Sequence, residues 1–567
     1  FFRLSTTRKV AVSGGSPAAM RFISLGEDEK DGKEKTMSSS ISAAELMALN
    51  EGEEVAHSTF PRASGLRASG LSNSRRSALK NSVLQRDYHT YSTRARHPTL
   101  RRRSKKGAGV TLRGVFMRIC ATVLGSFTLS CPFALAKAGV VFGVAIATVV
   151  AVAASSSLVM LVRCAEACER YEHDEIVDMY LGATAKRAAQ ASRLVMTVLM
   201  VAAQLIVWAD LITPLAKTAF PDHEAWWMSW PAVLSFGAGL QLPSVLFTSY
   251  SSATTVASYA GVFAAFLLLV ALMWPVSAKL GLVPSVVDSS TSDVGSAPVD
   301  FLGEGRGGAA AEAMLGVPVW VVAFSFHPQI LEMYHGLPTN KKPLFPIVAH
   351  AAVGLAGVMV LAIGILGVVR TGNAGAAVGG NFLSPLIEND GSLLLRAAAM
   401  TFGVAMLLAV PGGCTGMRSI IARIVRDANR LEEHELRPLQ QVLLWVGTPL
   451  MLVAVTCLAF VIGDVAKCAD LLGSSTGMVL SFVFPGLAYA ALCESSMAYM
   501  SQYQPVSETP SLATKSSSAF SWNANAAAPI PKSWPVYSAR ERWCALAMAG
   551  VGMGIGTVSL MATLLAW

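Results

Sequence analysis

From residue 116 onward the chain returns again and again to apolar runs of about twenty residues, the length an α-helix needs to cross the hydrocarbon core of a bilayer. The runs lie near 116–136, 139–163, 191–214, 230–247, 252–275, 313–335, 345–369, 391–412, 439–462, 469–492 and 543–566. In lipid no water bonds to backbone N–H and C=O groups, so each run is expected to be a helix that satisfies them internally. The fold class this predicts is an all-α polytopic membrane protein of about 11 transmembrane helices. Composition agrees: 53% of residues are hydrophobic and 14% charged, where a soluble domain carries about 25% charged residues.

Charge divides the chain into two parts. Residues 1–113 hold 21 Lys and Arg against 10 Asp and Glu, and the remainder holds 24 against 26. Residues 1–109 are rich in Ser, Arg, Lys and Gly, without sustained apolar periodicity, and are read as a disordered basic cytosolic tail. The transmembrane domain is 110–567. The tail ends in Arg101, Arg102, Arg103, Lys105 and Lys106. Beside a first span such a cluster is a cytosolic topology anchor, with contact to anionic lipid as a secondary reading. No nucleic-acid recognition fold accompanies it. With the tail inside, 17 basic residues fall on inner loops and helix ends and 7 on outer ones. That bias supports eleven spans with the C-terminus outside or luminal. Residues 276–312 read as an outer loop and 494–538 as a flexible inner loop. Trp208, Trp226, Trp227, Trp230 and Trp274 fall at predicted outer ends, as an aromatic belt would.

The nine cysteines show no disulfide framework, and there is no N-x-S/T sequon. Cys164 and Cys168 stand i, i+4 with no second Cys/His pair, so packing rather than a zinc site is expected. The chain begins at Phe1, so its true N-terminus is expected to lie upstream.

Two spans are interrupted. The first contains Gly125-Ser126-Phe127-Thr128-Leu129-Ser130-Cys131-Pro132, and the sixth contains Phe324-Ser325-Phe326-His327-Pro328-Gln329. Glycine loosens a helix, and proline removes a donor and clashes with the preceding turn. Bare backbone at membrane depth persists only where it is buried in protein or lines a watery cavity. Interruptions five helices apart occupy matching places if helices 1–5 and 6–10 are repeats of opposite orientation, the pattern that marks a transporter's binding site. Half-helix N-termini offer N–H groups to a carboxylate, and unwound carbonyls accept from an ammonium. An amino acid zwitterion carries both. The bland alternative at each position is a proline kink in ordinary packing.

These residues resemble the amino acid/auxin permease family, especially its vacuolar and sodium-coupled neutral amino acid transporter branches. Gly125, Ser126, Leu129, Pro132, Ala134, Ala138 and Gly139 fit the family's first helix, and Phe324, His327, Pro328, Leu331 and Tyr334 fit its sixth. Gly473 to Gly486 looks like the tenth, and Val410-Pro411 followed by Arg418 like the end of the eighth. The resemblance implies a five-plus-five inverted repeat with broken helices 1 and 6 and an eleventh helix. It also implies secondary active transport of amino acids coupled to protons or sodium. The substrate site it implies is Gly125, Ser126, Phe127 and Thr128 with Phe324, Ser325, Phe326 and His327. Phe127 and Ser130 depart from the family's small residues. Ala121 stands where sodium-coupled members carry Asn, and Met406, Leu407 and Leu408 run apolar where they use a hydroxyl. The proton is therefore the expected coupling ion, with sodium the alternative, and no bound cofactor or metal is expected.

Glu332, Asp210 and His327 are the proton-coupling candidates, since ionisable residues within spans are functional by default. His327 could equally brace its break, and Asp210 could sit at headgroup level. No Walker A run or H-E-x-x-H occurs, so an enzyme is not expected. The reading is a carrier of neutral or cationic amino acids; a sensor signalling through the tail is the alternative. The membrane, plasma or vacuolar/lysosome-like, stays open, and the absent sequons and disulfide lean towards an internal acidic compartment.

Overall fold

A computed structural model describes residues 110–221, 225–247, 250–279, 309–376, 380–389, 392–431, 436–503 and 537–566. The basic tail with Arg101, Arg102, Arg103, Lys105 and Lys106, most of 276–312, and 504–536 lie outside the described residues. Ten helices among the described residues are long and apolar enough to cross a membrane. The sixth span adds an eleventh, made of two pieces, Ala309–Ala323 and His327–His335.

The first span is likewise two helices, Leu112–Val123 and Cys131–Ala138, joined by a 3-10 turn at Ser126–Ser130. Gly139, at φ 77° and ψ 142°, then reverses the chain in one residue, a conformation a side chain would strain. The remaining spans are Val140–Cys168, Ala183–Ala219, Trp230–Phe247, Tyr250–Lys279, Phe345–Ala376, Leu393–Asn429, Leu436–Ile462, Val465–Tyr503 and Ala539–Ala566. The ninth carries a π-helical turn at Leu443–Gly447, and the tenth carries two, Gly473–Gly477 and Val479–Val483.

The packing partners obey an exchange of helices 1–5 for helices 6–10. The first span packs on the seventh as the sixth packs on the second, and the fifth on the eighth as the tenth on the third. The fourth meets the eighth as the ninth meets the third, and the first meets the fifth as the sixth meets the tenth. The third and eighth, equivalent under the exchange, pack on each other, as do the broken first and sixth. This is the five-plus-five repeat, with the eleventh span resting on the tenth. Small residues allow the closest approaches. A Cβ on Gly473 would lie 1.9 Å from the Pro318 carbonyl oxygen, and one on Gly367 would lie 2.5 Å from the Pro132 ring.

Several expected boundaries are corrected. The third and eighth spans run to 37 residues each, past the apolar windows 191–214 and 391–412. Their extra turns carry Lys186, Gln190, Arg423 and Asp427, whose polar groups are bonded within the protein rather than left to lipid. Between the second and third spans, outside every apolar run, lies a helix at His173–Leu181. The tenth span continues through Tyr503, so 494–503 is helix rather than the start of a flexible loop. Trp208 is buried and donates to the Val233 carbonyl at 3.2 Å, so it belongs to the packed interior and not to an aromatic belt.

Candidate functional site

At the first break the helical bonding stops with Leu124 N–H to Cys120 O at 2.9 Å. The next backbone bond is Thr128 N–H to Gly125 O at 3.1 Å. Among the described residues the amides of Gly125, Ser126 and Phe127 therefore donate to no carbonyl, and the carbonyls of Ala121 to Leu124 lose their i+4 donors. The buried hydroxyls of Ser126 and Thr128 also make no hydrogen bond. The sixth break repeats the pattern. Ser325 N–H reaches back to Val322 O, and the next donor is Gln329 N–H to Phe326 O.

A cavity of about 590 Å³ lies beside both breaks. The first span lines it with Arg118, Ala121, Thr122, Gly125 and Ser126, and the sixth with Pro328, Gln329 and Glu332. The third, fifth and eighth spans and the start of the ninth complete the wall. Its volume exceeds that of an amino acid, and Glu332 and Ser419 on its rim are exposed. The cavity extends towards the end of the bundle where the first span begins and the eighth finishes.

The other end is sealed. There the segment before the eighth span, with a short helix at Leu383–Asn389, lies across the third span. Ser130 Oγ donates to Gly380 O at 3.0 Å, and Gly380 N–H donates to Asp464 Oδ1 at 3.0 Å. A Cβ on Gly380 would fall 2.2 Å from that carboxylate oxygen. Ser384 Oγ donates to the Asp210 carbonyl at 2.9 Å, and Trp230 Nε1 donates to Asp210 Oδ1 at 2.7 Å.

Of the residues singled out in the sequence, Gly125, Ser126 and Glu332 line the cavity. Phe127 and Thr128 are buried outside the lining. Phe324, Ser325, Phe326 and His327 are also buried and hold the sixth break in place. Ser325 Oγ donates to Val321 O at 2.7 Å and accepts from Ser481 Oγ of the tenth span at 3.0 Å. His327 Nε2 lies 2.6 Å from Ser157 Oγ and 3.0 Å from Ala154 O, both on the second span, with the Phe326 ring stacked on its own. That geometry braces the break. Asp210 sits in the sealed end, away from the cavity. The lining also includes Arg118, Arg193, Gln204, Gln329 and Arg418, which did not stand out as site residues in the sequence.

Below the cavity the linker helix is clasped to the third and eighth spans. Arg193 Nη1 donates to Asp174 Oδ1 at 2.8 Å and lies 3.6 Å from Glu172. Arg423 pairs with Glu172 and approaches Asp174 at 3.7 Å. Gln190 bridges Asp174 and Asp427, which Lys186 holds at 2.9 Å. Burial opposes ionisation of Asp174, but Arg193 and Arg423 outweigh it and hold the carboxyl below its ordinary range.

Beside Asp174, His173 is buried with neither ring nitrogen hydrogen-bonded, its ring edge-on to Phe484. Burial, aided by the charge of Arg193, lowers its pKa to about 4. The unfolded chain takes up this proton near pH 6.5 and the folded chain only near 4. Stability is therefore complete above pH 6.5 and falls as pH drops through that window, by up to about 3 kcal/mol. The melting midpoint of the solubilised protein should decline across the window, and His173→Leu should flatten the decline. An equal slope in the variant would assign the effect elsewhere.

The family described as transmembrane amino acid transporter protein matches residues 108–508. No curated protein matches the chain by sequence. Among solved structures, a Na+-coupled sialic acid symporter in a substrate-bound outward-open state is similar at 12% identity and TM-score 0.43, covering 67% of this chain and 78% of its own. The manganese transporter of Eremococcus coleocola is similar at 11% identity and TM-score 0.38, covering 81% and 86%. The family match takes in both broken helices and the cavity between them, and the chain belongs to the transmembrane amino acid transporter family.

Proposed function

We propose that the chain is a proton-coupled amino acid carrier that works by alternating access. The observation that carries the reading is the pair of breaks beside one cavity that is closed at one end of the bundle. The bare amides at Gly125 to Phe127 suit a substrate carboxylate, and the freed carbonyls at Ala121 to Leu124 suit its ammonium. Glu332 is the one carboxylate among the described lining residues, which makes it the proton carrier we assign. With the tail in the cytosol, the open end faces inward and the sealed end faces outward or towards a lumen. Reversal then requires the segment at Gly380–Asn389 to release Ser130, Asp464 and Asp210 while the first and sixth helices close the inner end.

The test is uptake of labelled amino acids into proteoliposomes across the full panel, with and without a pH gradient and with a sodium gradient as a separate arm. Gradient-dependent flux of at least one amino acid is expected, driven by protons and indifferent to sodium. No flux for any amino acid refutes the carrier, and flux driven only by sodium refutes the coupling ion.

A further inference from the structure

The charges on the cavity wall are not matched one for one. Arg193 meets Asp174 and Glu172. Arg118 is held by the Thr254 carbonyl at 2.9 Å, Ser258 Oγ at 3.3 Å and Gln329 Oε1 at 3.3 Å, and Glu332 shares its wall. Arg418 differs. It lines the cavity half-buried, and its Nη1 donates to Thr448 Oγ1 at 3.3 Å. No carboxylate among the described residues pairs with it.

The mount under Arg418 is built into the ninth span. Thr448 is fully buried, and its hydroxyl donates to the Leu443 carbonyl at 2.9 Å across the π-helical turn Leu443–Gly447. The wider turn frees that carbonyl from its regular donor, the Thr448 hydroxyl takes it, and the oxygen lone pair holds the guanidinium. Single π-turns are rare and occur often at functional positions. A half-buried guanidinium without a counter-ion is partly desolvated, and the lowered dielectric there strengthens its hold on an anion. Its planar fork fits a carboxylate. Arg418 also lies twelve residues, about 18 Å of helix, beyond Met406, which lines the same cavity. The cavity thus runs further along the eighth span than one amino acid reaches.

Resting on the carrier reading above, we propose that Arg418 is a carboxylate seat on the transport path that selects acidic amino acids over their amides. An acidic amino acid on that path offers the fork a side-chain carboxylate in addition to its α-carboxylate, and its amide does not. A local excess of positive charge also concentrates an anionic substrate over a neutral one.

The experiment compares labelled glutamate and glutamine uptake by the full chain in proteoliposomes. Wild type should favour glutamate. Arg418→Gln should lower the glutamate-to-glutamine ratio at least tenfold, and Arg418→Lys, which keeps the charge, should hold it within a few-fold. Thr448→Val, which loosens the mount without removing the charge, should lower the ratio in part and serves if Arg418→Gln does not fold. An unchanged ratio in Arg418→Gln overturns the proposal. So does an equal fall in both fluxes, which marks a contact with the α-carboxylate or a brace. Flux of other amino acids with no glutamate uptake overturns it too while leaving the carrier standing. The absence of all amino acid flux removes the carrier reading itself.

Discussion

Gly125→Val is expected to lower amino acid uptake at least a hundredfold in protein that still inserts and elutes as wild type does. Backbone strain is not the reason, because Gly125 adopts φ −75° and ψ −161°, which any residue tolerates. Space is the reason. Gly125 lines the cavity, and a Cβ there would stand 3.0 Å from the Thr122 carbonyl oxygen, one of the groups the break leaves bare. The two further methyls of valine must then project over the bare amides of Ser126 and Phe127 or into the cavity. A hydrogen bond to a charged group is worth about 1.5–3 kcal/mol, and losing two of them amounts to about a hundredfold or more in rate. Gly125→Ala adds one carbon and should fall between wild type and the valine variant. Measured with purified protein in liposomes, wild-type flux in Gly125→Val would remove the first break as the substrate site.

The helices were legible because hydrophobic length is a local property of sequence, and so were the two breaks, because Gly and Pro act on their own turn. The linker helix at His173–Leu181 was not. Its stability comes from Asp174 meeting Arg193 and Arg423, which lie 19 and 249 residues away, and no local pattern announces such a pairing. The same holds for the ends of the third and eighth spans. Their last turns are polar, so a hydropathy window ends too early, while the charges there are satisfied across the bundle. The site was legible only in part. The bonded pattern at Phe324 to His327 explains why those residues brace rather than line the cavity: proline and histidine mark the break, but the open side belongs to the next turn, with Gln329 and Glu332. Arg118 and Arg418 carried a signal that had two readings. Both fit the inner-side charge bias, and only the fold separates an arginine that anchors topology from one that faces a cavity.

The clasp under the cavity should be the bundle's most sensitive charged cluster. Asp174 is 2% exposed and shared by two guanidiniums, one of which, Arg193, also lines the cavity. Asp174→Asn keeps the shape and removes the charge. Arg193 and Arg423 are then left to Glu172 alone, in a place where water screens them only in part. Taking one partner from a buried ion pair costs about 3–5 kcal/mol, mainly because the other charge stays behind unpaired. The melting midpoint should drop by on the order of 5 °C or more. The size of that drop would not by itself identify the clasp, so coupling is the sharper reading. If the carboxylate acts through Arg193, pairing Asp174→Asn with Arg193→Gln should cost less than the two single changes added together, by about 1–3 kcal/mol. The folded carboxyl lies below its ordinary range, so its contribution persists at every pH above that range and is lost only as pH falls below it. The deficit of Asp174→Asn should therefore stay constant through the window in which His173 titrates. Strict additivity, or a deficit that shrinks towards zero between pH 6.5 and 4, would mean that the linker helix is held by packing and that its charges are bystanders.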